Sequence, residues 1–141
     1  NRSCFSISPT TSGLLIANNI FHILGETVNV SGDQDSRAIN ENQTAKNVVL
    51  KNNLYTHGNV FPASLLIRDN NPIIGDPEFE NAGVIDARDY IPRNVDLIRD
   101  KGLHIEKLPG DPIGLRIGLD VRSDYFGNPV KRQPDMGAIE L

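Results

Sequence analysis

One cysteine in 141 residues, Cys4, leaves no partner for an internal disulfide and no Cys cluster for zinc or iron–sulfur ligation. The sequence displays no positive environment around it, so Cys4 reads as a small buried hydrophobe rather than an activated nucleophile. Positive charge is scarce as well. The 14 Lys+Arg against 18 Asp+Glu give a net charge of −4, and no basic run exists to release counterions from a phosphate backbone, which disfavours nucleic acid as a partner. No apolar run approaches the roughly 20 residues needed to cross a bilayer, so no transmembrane segment is expected. The chain opens at Asn1 without a methionine, a charged n-region or an apolar h-region, and reads as a processed protein or a piece of a longer one. Its length suits one domain, burying roughly 70% of the surface that the unfolded chain exposes.

Asparagine is abundant, with 15 residues, and it occurs as doublets at Asn18-Asn19, Asn52-Asn53 and Asn70-Asn71. Asn disfavours helix interiors and tolerates left-handed turn geometry, so frequent turns are expected. Two of the doublets sit in a repeat. Leu14-Leu15-Ile16-Ala17-Asn18-Asn19-Ile20-Phe21 matches Val48-Val49-Leu50-Lys51-Asn52-Asn53-Leu54-Tyr55 position for position. A weaker third copy runs Leu65-Leu66-Ile67-Arg68-Asp69-Asn70-Asn71. Each copy reads as strand, sharp corner, strand, with Asn19 and Asn53 as structural corner residues. Such units suit a parallel β-helix, where Asn side chains bond the backbone at corners and equivalent aliphatics stack between coils. The alternative is an antiparallel sandwich with Asn-Asn at two unrelated hairpins. Between the first two copies, at about residues 25–46, lies a polar insertion.

The second half is punctuated by Asn71-Pro72, Asp76-Pro77, Pro109-Gly110 and Asn128-Pro129, all turn signals. A short helix is expected over Val95 to Lys101, capped by Asn94 and ended by Gly102. Alternation in Leu103-His104-Ile105-Glu106 places His104 on the exposed face of a strand.

An ordered set of motifs follows the repeat: Gly75-Asp76-Pro77-Glu78-Phe79-Glu80-Asn81-Ala82-Gly83, Asp89-Tyr90, Leu97-Ile98-Arg99-Asp100-Lys101-Gly102, Asp124-Tyr125-Phe126-Gly127-Asn128-Pro129 and Pro134-Asp135-Met136-Gly137-Ala138-Ile139-Glu140. From about residue 14 to 141 the chain resembles the closing segment of secreted bacterial right-handed parallel β-helix proteins of the pectate-lyase-like superfamily, which include glycosyl hydrolases and polysaccharide lyases. The resemblance implies an all-β fold, with final coils over 1–74 and a loop-rich C-terminal capping segment over 75–141 packed on the last coil. It also implies a polysaccharide or glycan partner and a secreted, periplasmic or cell-surface location. Phe79, Tyr90, Tyr125 and Phe126 are candidates to plug the core, and Asp76, Asp124 and Asp135 to bond turn backbone.

No catalytic set is legible. A glycosidase needs two carboxylates about 5 to 10 Å apart, and Asp33 and Asp35 sit in the polar insertion, where a solvated loop is the plainer reading. No cofactor motif or metal site is identified, and calcium is left open for a longer parent chain. The candidate substrate-contacting residues are Tyr55, His57, Arg68 and Asp69, near the ends of repeat strands. Tyr55 has two readings: a sugar-stacking ring, or an inward stack with its counterpart Phe21. The function expected is the terminal β-helix portion of a carbohydrate-active protein, either a glycosyl hydrolase or a polysaccharide lyase; the alternative is a non-catalytic carbohydrate-binding or cell-surface structural module.

Overall fold

The computed structural model describes residues 12–22, 46–56, 69–113, 121–131 and 133–141. Among these residues five short strands appear in order: β1 (Ser12–Ala17), β2 (Ile20–Phe21), β3 (Lys46–Lys51), β4 (Leu54–Tyr55) and β5 (Ile73–Ile74). A 3-10 turn (Ala87–Tyr90) and one helical turn, α1 (Val95–Ile98), follow. The pairs that these strands form are all parallel: β1 lies beside β3, and β2, β4 and β5 form a second sheet in that order. Parallel pairing removes the hairpin reading of the Asn doublets, because a hairpin joins antiparallel neighbours.

Register follows the sequence repeat. Leu14 pairs with Val48, Ile16 with Leu50, Ile20 with Leu54 and Phe21 with Tyr55, so like residues stack on like. Each strand–corner–strand unit is a rung, and the corner is the Asn doublet. Asn18 and Asn52, the first of each pair, adopt φ of 59° and 54°, the left-handed region that Asn tolerates better than other side chains. The repeat extends further back than residue similarity shows. Gly13 and Asn47, also equivalent by register, have φ of 70° and 54°, so two different residue types answer the same backbone demand.

The third rung is offset by two residues from the sequence alignment. Leu50 bridges to Asp69, Leu54 pairs with Ile73 and Tyr55 with Ile74, which sets Asn71 beside Asn52 and Pro72 beside Asn53. Pro72 offers neither an N–H nor a side-chain carbonyl to the corner. The aliphatic stretch 65–68 used for the third copy lies outside the described residues.

Side chains alternate across β2, β4 and β5. One face stacks Ile20, Leu54 and Ile73, and against it pack Leu97 and Ile98 of α1 with Met136 and Leu141. Leu54, Ile98 and Met136 are fully buried there, each side chain stabilising by roughly 1.5–3 kcal/mol. The opposite face carries Phe21 stacked on buried Tyr55.

Of the segment 75–141, expected to sit on the last coil, residues 97–103 run along the side of all three rungs. Leu103 exchanges bonds with Asn18, Lys101 accepts from Asn52, and Leu97 lies against Gly75 just after β5. Two expected aromatic plugs are corrected: Tyr125 and Phe126 face solvent, because their turn is held by its own hydrogen bonds and not by core packing. Phe79 and Tyr90 are half-buried and meet edge to face, and Phe79 also meets the His22 ring. Helix α1 stops at Ile98, short of Lys101; Asn94 stands at its N-cap position as expected but makes no side-chain bond to it, and its carboxamide donates to the Asp76 carbonyl instead. Gly102 is needed for room and not as a left-handed helix end, since a Cβ there would stand 2.6 Å from the Asp135 carbonyl oxygen. Residues 103–106 pair with no strand, although the alternation of half-buried Leu103 and Ile105 with exposed His104 and Glu106 is present.

Candidate functional site

Among the described residues a dense polar cluster forms the inner corner. Asn53, wholly buried, accepts at Oδ1 from the Asn19 backbone N–H (3.0 Å) and carboxamide (2.9 Å). Its own Nδ2 donates to the Ile16 carbonyl (3.0 Å) and to Asp69 Oδ2 (2.6 Å). Asn19 and Asn53 are thus consecutive steps of a side-chain ladder inside the backbone corners. A third Asn would be the next step, but Pro72 occupies that position and the Asp69 carboxylate supplies the acceptor. Asp69 takes the backbone N–H groups of Asn52, Asn53 and Asn71 at 2.9, 3.1 and 2.9 Å, and the Tyr55 hydroxyl at 3.0 Å.

This arrangement corrects two candidate substrate contacts. Tyr55 is fully buried, its ring stacked at 5.1 Å and 15° on Phe21 and its hydroxyl bound to Asp69. Asp69 is 8% exposed, and both carboxylate oxygens are engaged by the corner. A buried carboxylate ringed by donors is stabilised where it stands and is closed to a polymer outside. The remaining candidates, His57 and Arg68, lie outside the described residues, as do Cys4, Asp33 and Asp35. His22 Nδ1 lies 3.2 Å from the Thr56 hydroxyl.

A second row of asparagines points toward the flanking segment, with Asn52 buried between. Asn71 donates to Asn52 Oδ1, and Asn52 donates to Asn18 Oδ1 and to the Lys101 carbonyl. Asn18 Nδ2 donates to the Leu103 carbonyl at 2.8 Å, and the Leu103 N–H returns to Asn18 Oδ1 at 2.8 Å. This row ties the rungs to the flanking segment. The doublet pattern pointed to Asn at both positions, but nothing in the sequence distinguished an inner row from an outer one.

The closing motif is a clasp on the same flank. Buried Asp135 accepts the N–H groups of Asp100 and Leu141 at 2.7 and 2.6 Å, and its own N–H donates to Glu140. Met136 N donates to the Ile98 carbonyl, and Gly137 N donates to the Asn18 carbonyl. Gly137 holds φ of 93°, and a Cβ on it would meet Ile20 Cδ1 at 2.9 Å.

Between the corner of β1 and β2, residues 103–105 and the clasp lies an open cleft of about 1600 Å³. Its walls include His104, Asp124, Tyr125, Lys131 and Glu140. Burial pushes the Asp124 carboxyl up, but bonds from the Asn128 carboxamide and from the Glu140, Asn128 and Phe126 N–H groups outweigh this and hold it below its ordinary value. Elsewhere, the side-chain bond from Arg88 brings Asp86 down to about 2. Among the described residues no group of three or more His, Cys, Asp or Glu is placed to hold a metal ion, and no helix is long and apolar enough to cross a membrane.

Comparison of the chain with family models, with curated proteins and with solved structures finds no match in any of the three.

Proposed function

We propose that this chain forms the final rungs and flanking clasp of a right-handed parallel β-helix in a secreted carbohydrate-active protein, and that its part there is to hold polysaccharide without cleaving it. The observation that carries the reading is the parallel stacking of two strand–Asn corner–strand rungs in a 34-residue register, locked by the Asn19–Asn53–Asp69 ladder. A solenoid of this kind presents an extended side surface suited to a polymer. The link from that scaffold to sugar is by analogy with the β-helix proteins that the motifs resemble.

The holding role, as against turnover, is supported by what the described aspartates do. Six of the nine described aspartates, Asp69, Asp76, Asp86, Asp111, Asp124 and Asp135, each accept a backbone N–H in a turn, corner or clasp. A carboxylate fixed in this way serves the fold, whereas a general acid or base must reach a glycosidic oxygen or a water.

Incubating the purified chain with neutral and uronate-containing polysaccharides, while assaying retention, new reducing ends and unsaturated products, tests this. Retention with neither product is expected. Turnover would replace the reading with a hydrolase or lyase, and the absence of both retention and turnover would replace it with a structural module.

A further inference from the structure

We propose that the turn from Asp124 to Asn128 is a stacking platform for polysaccharide, with the Tyr125 and Phe126 rings as the surfaces on which pyranose units rest. The inference builds on the carbohydrate reading above and assigns that reading a site.

Aromatic residues are few, at 6% of the chain, and those described are otherwise packed: Tyr55 is buried, while Phe21, Phe79 and Tyr90 are half-buried. Tyr125 and Phe126 are 70% and 43% exposed. Their rings meet edge to face, with centroids 5.3 Å apart and planes at 84°, so each braces the other without covering both faces.

Exposure alone would be unremarkable, but the backbone beneath the rings is closed on all sides. The Asp124 carboxylate accepts from the N–H groups of Phe126 and Asn128, from the Asn128 carboxamide and from Glu140 N–H. Asp124 N donates to the Asn128 carbonyl at 2.8 Å, Gly127 N to the Asp124 carbonyl at 3.1 Å, and Tyr125 N to the Ala138 carbonyl at 2.8 Å. The last of these fastens the turn to the clasp and so to the rungs. The backbone that carries two adjacent rings is therefore fixed by hydrogen bonds while the rings stay exposed, and an aromatic side chain with few torsions on a fixed backbone lowers the ordering cost of binding.

The surroundings select the ligand. Ser123, Gly127 and Asn128, all exposed, flank the rings, and exposed Val121 and Pro129 lie just beyond them, so polar groups and apolar surface alternate around the platform. A pyranose matches this pattern with an apolar C–H face for a ring and equatorial hydroxyls for the polar rim. Tyr125 also stands in the wall of the cleft, whose volume of about 1600 Å³ exceeds the roughly 300–1,000 Å³ of sites for small ligands and suits several linked sugars. His104 and Lys131, both exposed, also line the cleft and carry groups able to hydrogen-bond sugar hydroxyls, Lys131 Nζ while also donating to the Leu141 carbonyl.

Affinity electrophoresis through gels holding xyloglucan, mixed-linkage β-glucan, polygalacturonate or alginate is the test, applied to the wild type, Tyr125→Ala, Phe126→Ala, the double variant and Tyr125→Phe. Ile85→Ala, at a fully exposed residue outside the cleft, is the control for loss of an exposed apolar side chain. The wild type should be retarded by at least one polymer. Each alanine variant should bind about tenfold more weakly, the double variant more weakly still, and Tyr125→Phe and Ile85→Ala should match the wild type. Circular dichroism should be unchanged, since both rings lie outside the core. A double variant retarded as strongly as the wild type would overturn the platform and leave the carbohydrate reading standing. A wild type retarded by no polymer would overturn both.

Discussion

The Asp69 carboxylate receives both the backbone N–H and the carboxamide of Asn53, at 3.1 and 2.6 Å, and so ends a ladder that Asn19 and Asn53 begin. Where the third rung brings Pro72 to the corner, the chain supplies the missing acceptor from the strand position three residues earlier. The corner is thus conserved in its chemistry while the residue that provides it changes.

The first prediction concerns this substitution of roles. Asp69→Ala leaves the N–H groups of Asn52, Asn53 and Asn71 and the Tyr55 hydroxyl without their acceptor in a buried site, and should destabilise by about 3 kcal/mol or more. Asp69→Asn keeps one acceptor oxygen and should lose less. Urea unfolding of both variants measures the difference; equal losses would show that acceptor number is irrelevant at the corner.

The two corner asparagines should not be equivalent. Asn53 is fully buried with its carboxamide bonded on both ends, so Asn53→Leu should cost about 1–3 kcal/mol. Asn19 is exposed, its Nδ2 reaching Asn53 and the Ala17 carbonyl, so Asn19→Leu should cost below about 1 kcal/mol. The midpoint of chemical denaturation separates them, and a larger loss at Asn19 would contradict the ladder's direction of burial.

Gly102→Ala tests the clasp. The added Cβ would lie 2.6 and 2.8 Å from the carbonyl oxygens of Asp135 and Pro134, backbone atoms that cannot rotate away. Overpacking of this kind costs roughly 1–3 kcal/mol. Gly83→Ala is the comparison, because that glycine has a left-handed φ of 103° but open space around it. A loss at Gly102 accompanied by faster hydrogen exchange at Met136 N–H, which bonds the Ile98 carbonyl, is the expected signature.

Much of the rung architecture was legible because its signals are local. Asn at a left-handed corner and aliphatics stacked on aliphatics leave a periodic trace, and Asn18/Asn52, Ile20/Leu54 and Phe21/Tyr55 fell into register from residue types alone. The third rung was misaligned because likeness of residue type put Asp69 opposite Asn52, whereas the backbone puts Asn71 there and turns Asp69 inward. Gly13 and Asn47 went unmatched for the converse reason: they share a φ and no side-chain similarity. Asp69 looked like a surface candidate because, taken alone, it is a residue type that often meets solvent. The inward stack of Tyr55 on Phe21, one of its two readings, was legible from the repeat, but the bond from its hydroxyl to Asp69, 14 residues on and across rungs, is encoded in no single stretch of sequence. The turn-bonding roles of Asp76 and Asp124 were readable from their turn contexts, whereas Asp135, expected to do the same, bonds the backbone of Asp100 and Leu141 instead. That Tyr125 and Phe126 stay outside was not readable, since an aromatic pair beside Gly reads equally well as a plug.

The last prediction follows from Asp124. Burial disfavours its charge, but the Asn128 carboxamide and three backbone N–H groups favour it more, so the folded carboxyl titrates below its ordinary value of 3.8. A group with a depressed folded value contributes stability that is fully present above its unfolded value and is lost as pH falls through the folded one. The stabilisation by Asp124 should therefore be constant from neutral pH down to about 5 and fade below about 4. Asp124→Asn removes the charge at every pH. The stability of the wild type should exceed that of the variant at neutral pH, and the two should converge as the wild type is acidified. Because Asp124 anchors the turn under Tyr125 and Phe126, amide resonances of Phe126 and Asn128 should shift over the same acid range in the wild type and stay level in the variant. Denaturation midpoints at a series of pH values between 7 and 2, with NMR on the two amides, decide the matter: a difference between wild type and variant that does not change with pH would mean the carboxylate's charge plays no part in holding the turn.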